Sequence, residues 1–399
     1  PKKIISSFLF FSMIFGILEF IRGSILTGFP WNLIAYSFSN YLEILSITSL
    51  IGTYGFNLFC ISLFTSPALL ILKEDQKDIG ITIFFFFITF LFHIYGSNYQ
   101  DKFNEGDKIT YDYKIRAIGS NISLDRFYSN IDTSSIIEEL IEISEPIANE
   151  KTVFVWPEGI LPNVYQEQLI EYDWLFSKKF NKNHFLILGI NSQSKINGSK
   201  DYFNSFSIYD NKINLINSYN KMNLVPFGEF LPLENILSNF GLKAITNNFQ
   251  SFSKGKKRNI IEINKNNFSI KILPLICYEI IYSGNIFDDS DFDLIINISE
   301  DGWFGDSIGP QQHFIHNIFR AIESGKYIVR SSNNGIAAII NPLGVIEQRV
   351  EFGKSGYVDF KESREIQPTV FSKLGNKVFG YLILLYIFLI FSFNRIKNE

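Results

Sequence analysis

A chain of 399 residues with 46% hydrophobic content and 42 phenylalanines is longer than one average domain and too apolar for an ordinary water-soluble protein. Its net charge of -4 includes no basic stripe, so no nucleic-acid partner is expected. The two cysteines, Cys60 in an apolar run and Cys277 after a strand-like stretch, exclude a disulfide framework.

In chain order, Pro1 opens the sequence without a cleavable signal pattern, which reads as a trimmed N-terminus. Apolar runs of membrane length follow at 4–20 (broken only by Glu19), 44–72, 79–95 and 378–393. A buried core helix is the alternative for each, but four runs flanking one polar middle fit membrane spans. Glu19 and Arg22 fall at a membrane boundary, just before Thr27-Gly-Phe-Pro-Trp31, a turn with an interfacial aromatic. Lys2 and Lys3, the loop at 73–77, and Arg395 with Lys397 would share one side, the cytoplasm by the positive-inside rule. The expected domains are N-terminal transmembrane helices at 1–96, an extracytoplasmic catalytic domain at 97–375 and a C-terminal transmembrane helix at 376–399. In a bacterium this means a multi-pass protein of the inner membrane with its middle domain on the periplasmic side.

The middle segment reads as mixed α/β. β-branched or aromatic runs at 151–156, 185–191, 203–209, 270–277, 294–298, 327–331 and 336–340 predict strands, and Asn334-Gly335 predicts a hairpin between the last two. Helices are expected at 134–144, with Ser134 as N-cap and a stop before Pro146, and at 311–324, with Phe314, Ile315, Ile318, Phe319 and Ile322 on one face and Gly325 as the stop. Polar patches at 191–200 and 247–265 read as loops.

The chemistry gathers at three strand ends. In Ile272-Leu-Pro-Leu-Ile-Cys277-Tyr278-Glu279 a sharp turn would present a thiol in a cleft; a small buried hydrophobe is the plain alternative. A thiol is a weak nucleophile until a base or a cation makes it a thiolate. Trp156-Pro-Glu158 puts a carboxylate after a buried strand and a proline-fixed turn, where apolar walls would raise its pKa into the range of a general base. Asn220-Lys221-Met-Asn-Leu-Val-Pro-Phe-Gly-Glu229 supplies a lysine, with a second carboxylate eight residues on. Singly, these are an exposed turn glutamate and a solvated lysine. Together they suit a Glu-Lys-Cys acyl-transfer site. His313 and His316, at i, i+3, have metal-like spacing without a third ligand, so hydrogen bonding is the favoured reading and no metal is expected. Asp301 and Asp306 more simply shape their loop than bind a cation. Trp303, Phe304 and Phe227 are candidates for a lipid entrance or for plain core.

These stretches, with Leu26-Thr-Gly-Phe-Pro-Trp31, Asn297-Ile-Ser-Glu300-Asp301-Gly-Trp303-Phe-Gly305, Gln312-His313 and Arg320-Ala-Ile-Glu323, resemble the nitrilase superfamily and, more narrowly, the membrane-bound apolipoprotein N-acyltransferases. The resemblance runs from about residue 19 to the C-terminus. Soluble nitrilases usually have an Arg-Phe-Pro-Glu-like run after their Cys-Tyr pair; Glu279-Ile-Ile-Tyr282 here favours the membrane enzymes. The resemblance implies an α/β fold, a four-layer αββα nitrilase-like sandwich with two sheets inside, attached to a bundle of transmembrane helices. It implies Glu158 as base, Lys221 as stabiliser of thiolate and oxyanion, and Cys277 as nucleophile, with Glu229, Tyr278, Glu279, Trp303 and Phe304 supporting the site or binding substrate. Gly159 stands where Thr or Ser is common, Glu300 and Gly302 replace Asn and Ala, and Phe127 aligns with an expected Trp. The family also has more spans than four.

The implied reaction moves an acyl chain from a phospholipid to the N-terminal amine of a diacylglyceryl-cysteine apolipoprotein through a cysteine thioester. No cofactor is expected, and a monomer is. Two rivals stand beside it: a membrane-anchored amidase, which would have a small closed pocket, and a non-catalytic membrane scaffold, which intact triad positions disfavour.

Overall fold

The computed structural model describes residues 4–72, 76–129, 131–196, 199–233, 251–265, 268–286 and 291–395. Lys2, Lys3, Lys397 and residues 73–75, on which much of the charge asymmetry rests, lie outside the described residues. So do parts of the loops expected at 191–200 and 247–265.

Among the described residues four helices are long and apolar enough to cross a bilayer: α1 (Ile4–Ser24), α2 (Thr48–Thr65), α3 (Gln76–Glu105) and a C-terminal helix, Lys377–Arg395. On α3, Phe84, Phe86, Phe87 and Phe90 are more than half exposed, as are Leu384, Phe388 and Phe391 on the C-terminal helix. Apolar surface of this extent suits contact with lipid. By contrast α2 is almost wholly buried, packed between α1 and the C-terminal helix.

The run at 44–72, expected to cross and then lie in the interface, is broken into Leu42–Leu45, α2 and Ala68–Leu72. Pro67 lacks the N–H that would carry the ladder on. Inside α2, Gly52 sits at φ 68°, ψ 175°, and a Cβ there would meet the Phe371 ring at 2.0 Å. The amide freed at this break is captured from the other domain. Thr53 donates to Glu323 Oε1 through both its N–H (2.6 Å) and its hydroxyl (2.7 Å), and Arg320 pairs with Glu323 at 2.9 Å. The Arg320-Ala-Ile-Glu323 motif therefore ties a membrane helix to the globular domain.

After α3 the globular domain runs β1 (Lys108–Ser120), α4 (Thr133–Ser144), β2 (Thr152–Val155), β3 (His184–Ile196), β4 (Ser199–Tyr209), β5 (Leu215–Asn220), β6 (Ile261–Lys265), β7 (Phe268–Ile276), β8 (Leu294–Glu300), α5 (Gly309–Ser324), β9 (Tyr327–Asn333), β10 (Ala337–Ile340), β11 (Ile346–Val350) and β12 (Gly356–Arg364). The strands make one path, β5-β4-β3-β2-β1-β9-β8-β7-β6, with β10, β11 and β12 beside it. Only Gly119–Ser332 and Ser120–Asn333 pair β1 with β9, so the path folds there into two facing halves.

Period-two alternation decides which face each residue takes. Val153 and Val155 point inward to meet Ile270, Ile272, Leu294 and Ile296 of the other half. Phe154 and Trp156 point outward beneath Ile136, Ile137 and Leu140 of α4. Helix α5 covers the opposite face, completing the αββα nitrilase-like arrangement, with the two sheets continuous rather than separate.

Several local expectations change. The cap of α4 is Asp132, whose carboxylate accepts the Ser134 N–H (3.1 Å), rather than Ser134. Residues 191–196 extend β3 and pair with β4 instead of looping. The 13-residue β1 has no counterpart among the expected strands, because Asp112, Lys114 and Arg116 disguise it. Arg116 is neutralised by a two-pronged pair with Asp359 of β12, both contacts at 2.7 Å. The Asn334-Gly335 hairpin forms, and glycine is required because a Cβ at 335 would lie 2.2 Å from both Asp301 Oδ2 and Ser332 Oγ.

Candidate active site

Strand β7 stops at Ile276, and Cys277 takes a left-handed backbone, φ 48°, before a single tight turn, Cys277–Ile281. That strained geometry is costly for a non-glycine residue and turns the thiol off the strand end. Glu279 does the fastening. Its Oε2 accepts the Ile276 N–H (2.9 Å), and its Oε1 accepts from Tyr219 OH (2.5 Å), Met222 N–H (2.9 Å) and Arg258 (3.0 Å). Burial alone would raise this carboxyl, but Arg258 and Tyr219 hold it below its usual value. Glu279 thus points away from the thiol and locks the Lys221 loop to the cysteine turn.

Lys221 follows β5 and is fully buried. Its Nζ donates to Glu158 Oε1 (2.9 Å) and Glu229 Oε1 (3.0 Å). Burial opposes its charge, yet the two carboxylates outweigh burial and keep its pKa well above normal. Glu158 follows β2, with Gly189 beneath it: a Cβ at 189 would lie 2.4 Å from the Glu158 Cα. Instead of the expected apolar walls, Glu158 meets donors. Besides Lys221, Asn204 Nδ2 reaches its Oε1 (2.7 Å) and the Glu300 N–H its Oε2 (3.1 Å). Asn204 also bonds Glu229 Oε1 (2.9 Å), and Glu229 Oε2 accepts the Val225 N–H (2.8 Å), anchoring the loop. Glu158, Lys221, Glu229 and Cys277 are therefore assembled in one cavity. Burial first, and then the Glu158 charge, push the Cys277 thiol well above its ordinary pKa, with Lys221 opposing. The resting nucleophile is a neutral thiol that must give up its proton as it attacks.

Asp301 and His313 support the turn from below. His313 lies against the Cys277 carbonyl through Nε2 (3.2 Å) and against Asp301 Oδ1 through Nδ1 (2.8 Å); Arg330 pairs with Asp301 Oδ2 (2.7 Å). Burial raises the Asp301 carboxyl, but Arg330 and His313 outweigh it and hold it below its usual range. His316 packs edge-on against Tyr36 and at a tilt against Trp31 instead of joining His313. Among the described residues no cluster has metal-ligand composition.

One wall comes from the membrane part of the chain. Tyr278 OH bonds the Gly28 carbonyl (2.7 Å), Tyr282 OH that of Thr27 (2.5 Å), and Trp31 Nε1 donates to Gln312 Oε1 (2.8 Å). Trp31, expected at the membrane interface, packs on Phe304 (5.3 Å) and His313 (5.6 Å) inside the site. The cavity, about 690 Å³, is lined by Phe29, Trp31, Phe127, Trp303, Phe304 and Ile308 around the polar cluster. Phe29, Phe227 and Trp303 are at least half exposed at its rim, whereas Phe304 is part of the wall. Sequence reasoning missed Asn204, which sits in no motif of its own, and gave Trp31 the wrong neighbours.

Comparison with known proteins matches residues 124–359 to the carbon-nitrogen hydrolase family and residues 2–66 to the apolipoprotein N-acyltransferase N-terminal domain. The apolipoprotein N-acyltransferase of Rickettsia prowazekii is 31% identical over 98% of this chain and 77% of its own length. That of Wigglesworthia glossinidia brevipalpis is 33% identical over 96% of this chain and 74% of its own. For the Rhizobium rhizogenes enzyme the figures are 29%, 86% and 65%, so the chain spans roughly two thirds to three quarters of these relatives.

Proposed function

We propose, since this chain belongs to the apolipoprotein N-acyltransferase family of carbon-nitrogen hydrolases, that it moves a fatty acyl chain from a phospholipid to the α-amine of a diacylglyceryl-cysteine lipoprotein. The carrying observation is Lys221 Nζ, buried between Glu158 and Glu229 in a cavity shared with Cys277 and walled by Phe29 and Trp31. Glu158 takes the Sγ proton as sulfur attacks the phospholipid ester, and the oxyanion forms beside Lys221. Collapse breaks the carbonyl–oxygen bond, and the leaving lysophospholipid oxygen takes the proton from Glu158, leaving a thioester on Cys277. The neutral lipoprotein amine attacks that thioester; its proton passes through Glu158 to the departing sulfur.

Both substrates reside in a bilayer, which gives the four apolar helices their purpose. The volume of about 690 Å³ and the exposed aromatic rim favour a long apolar substrate over the small closed pocket of an amidase. Incubating the chain with phospholipid should add one acyl mass to the Cys277 peptide, discharged by a diacylglyceryl-cysteine peptide far faster than by water. No adduct, or equal discharge by water, would sink the transferase reading in favour of the hydrolase.

We place the catalytic domain on the periplasmic side of the inner membrane, following the Lys and Arg pattern, and the protein as a monomer. With cysteines introduced at Gln193, Lys265 and Lys77, an impermeant thiol reagent added to intact cells should reach the first two and spare the third. Labelling at Lys77 alone would invert the orientation.

A further inference from the structure

Glu300 ends β8 and is buried in the cavity wall. Its Oε2 accepts from Arg126 and from Asn333 Nδ2 (2.7 Å), and its Oε1 from the Gly302 N–H (2.9 Å) and Asn334 Nδ2 (3.4 Å). The backbone N–H of the same residue holds Glu158 Oε2 (3.1 Å), while Lys221 and Asn204 hold Oε1. The base is thus gripped at both oxygens, and one grip is the peptide N–H of a residue whose own side chain is held by Arg126, Asn333, Gly302 and Asn334.

Glycine at 302 belongs to the same unit. A Cβ there would sit 2.7 Å from Glu300 Oε1 and 2.8 Å from Asn334 Nδ2, so the carboxylate folds back into the space an alanine methyl would fill. Of the two departures noted in this loop, Gly302 thus leaves the space that the Glu300 carboxylate occupies. Arg126 completes the unit from the neighbouring loop, donating also to the Ile122 (3.2 Å) and Ser123 (2.9 Å) carbonyls. Its guanidinium lies 4.5 Å from the centre of the Phe127 ring, which packs on Trp303 at 4.8 Å.

We propose that Arg126 and Glu300 are positioning residues for Glu158: the buried pair orients the Glu300 peptide, and that peptide aims the free side of the base at the Cys277 thiol. This rests on the reading of Glu158 as the base. Removing one partner alone would strand a buried charge and unfold the loop for unrelated reasons. The informative variants are Arg126→Met with Glu300→Leu, which removes both charges, and Gly302→Ala, which removes none but displaces the carboxylate.

The readout is the rate at which iodoacetamide alkylates Cys277 in the full chain in detergent, located by peptide mass; sulfur displaces iodide and the thiol proton goes to the base. Each variant should slow alkylation at pH 7 by about tenfold, a share of what a general base supplies. Added to Glu158→Gln, each should slow it no further, because the pair acts through Glu158. A loss that multiplies with that of Glu158→Gln marks a merely structural role and overturns the proposal, as does a wild-type rate in Gly302→Ala. If the double variant does not fold, Gly302→Ala decides alone. Wild-type alkylation by Glu158→Gln itself would instead overturn the assignment of the base, and this inference with it.

Discussion

Glu158→Gln should lower the single-turnover acylation of Cys277 by phospholipid at neutral pH by about 10²–10⁴-fold, the contribution of a well-placed general base. An amide cannot accept the thiol proton, and the thiol is held neutral by burial. The variant should also carry a pH signature. Glu158's charge is one of the causes raising the Cys277 pKa, so its removal lets thiolate form at lower pH than in the wild type. Residual acylation should therefore climb with pH, and the deficit should shrink under alkaline conditions. Glu229→Gln should behave differently. It disturbs the Val225 anchor and one contact of Lys221, but Lys221 keeps its charge and its bond to Glu158, so an intermediate rate is expected. If Glu229→Gln is the dead variant and Glu158→Gln acylates normally, the base has been misassigned.

Cys277→Ser should give no acyl adduct and no transfer, with the fold retained. The change is nearly isosteric, and Ser299 already stands beside the sulfur as a hydrogen-bonding partner for a hydroxyl. An alcohol ionises far less readily than a thiol and is a poorer leaving group from the acyl-enzyme, so both half-reactions suffer. The check is mass spectrometry for the adduct together with transfer to a diacylglyceryl-cysteine peptide, and circular dichroism for the fold. Normal turnover by the serine variant would remove the thioester from the mechanism.

Much of this site is readable from local pattern. Glu158 and Cys277 each lie at the end of an expected β-rich run, and a strand end is where a side chain leaves the sheet for a cavity; the strand before Lys221, at 215–220, is not among the expected ones. Glu279 is next but one to the nucleophile in sequence, yet its carboxylate is turned away from the thiol to pair with Arg258. Glu158's surroundings were read wrongly. Its strand is dry, but three donors arrive from elsewhere, and no property of residues 152–158 announces them.

Features that depend on neighbours in the chain are written in local pattern: four apolar stretches of spanning length, the period-two strands, the hairpin at Asn334-Gly335 and the helix stop at Gly325. Features that depend on partners far apart in the chain emerge only when it folds. Lys221 meets Glu158 across 63 residues, Arg126 meets Glu300 across 174, and Trp31 meets Gln312 across 281. Strand β1 shows the same division, since its charged residues conceal it until Asp359 neutralises Arg116. A hydrophobic period states which face of an element is buried, but not against what. A buried charge is tolerated only where a distant partner completes it, so the ionic heart of the site became visible when the sheet folded.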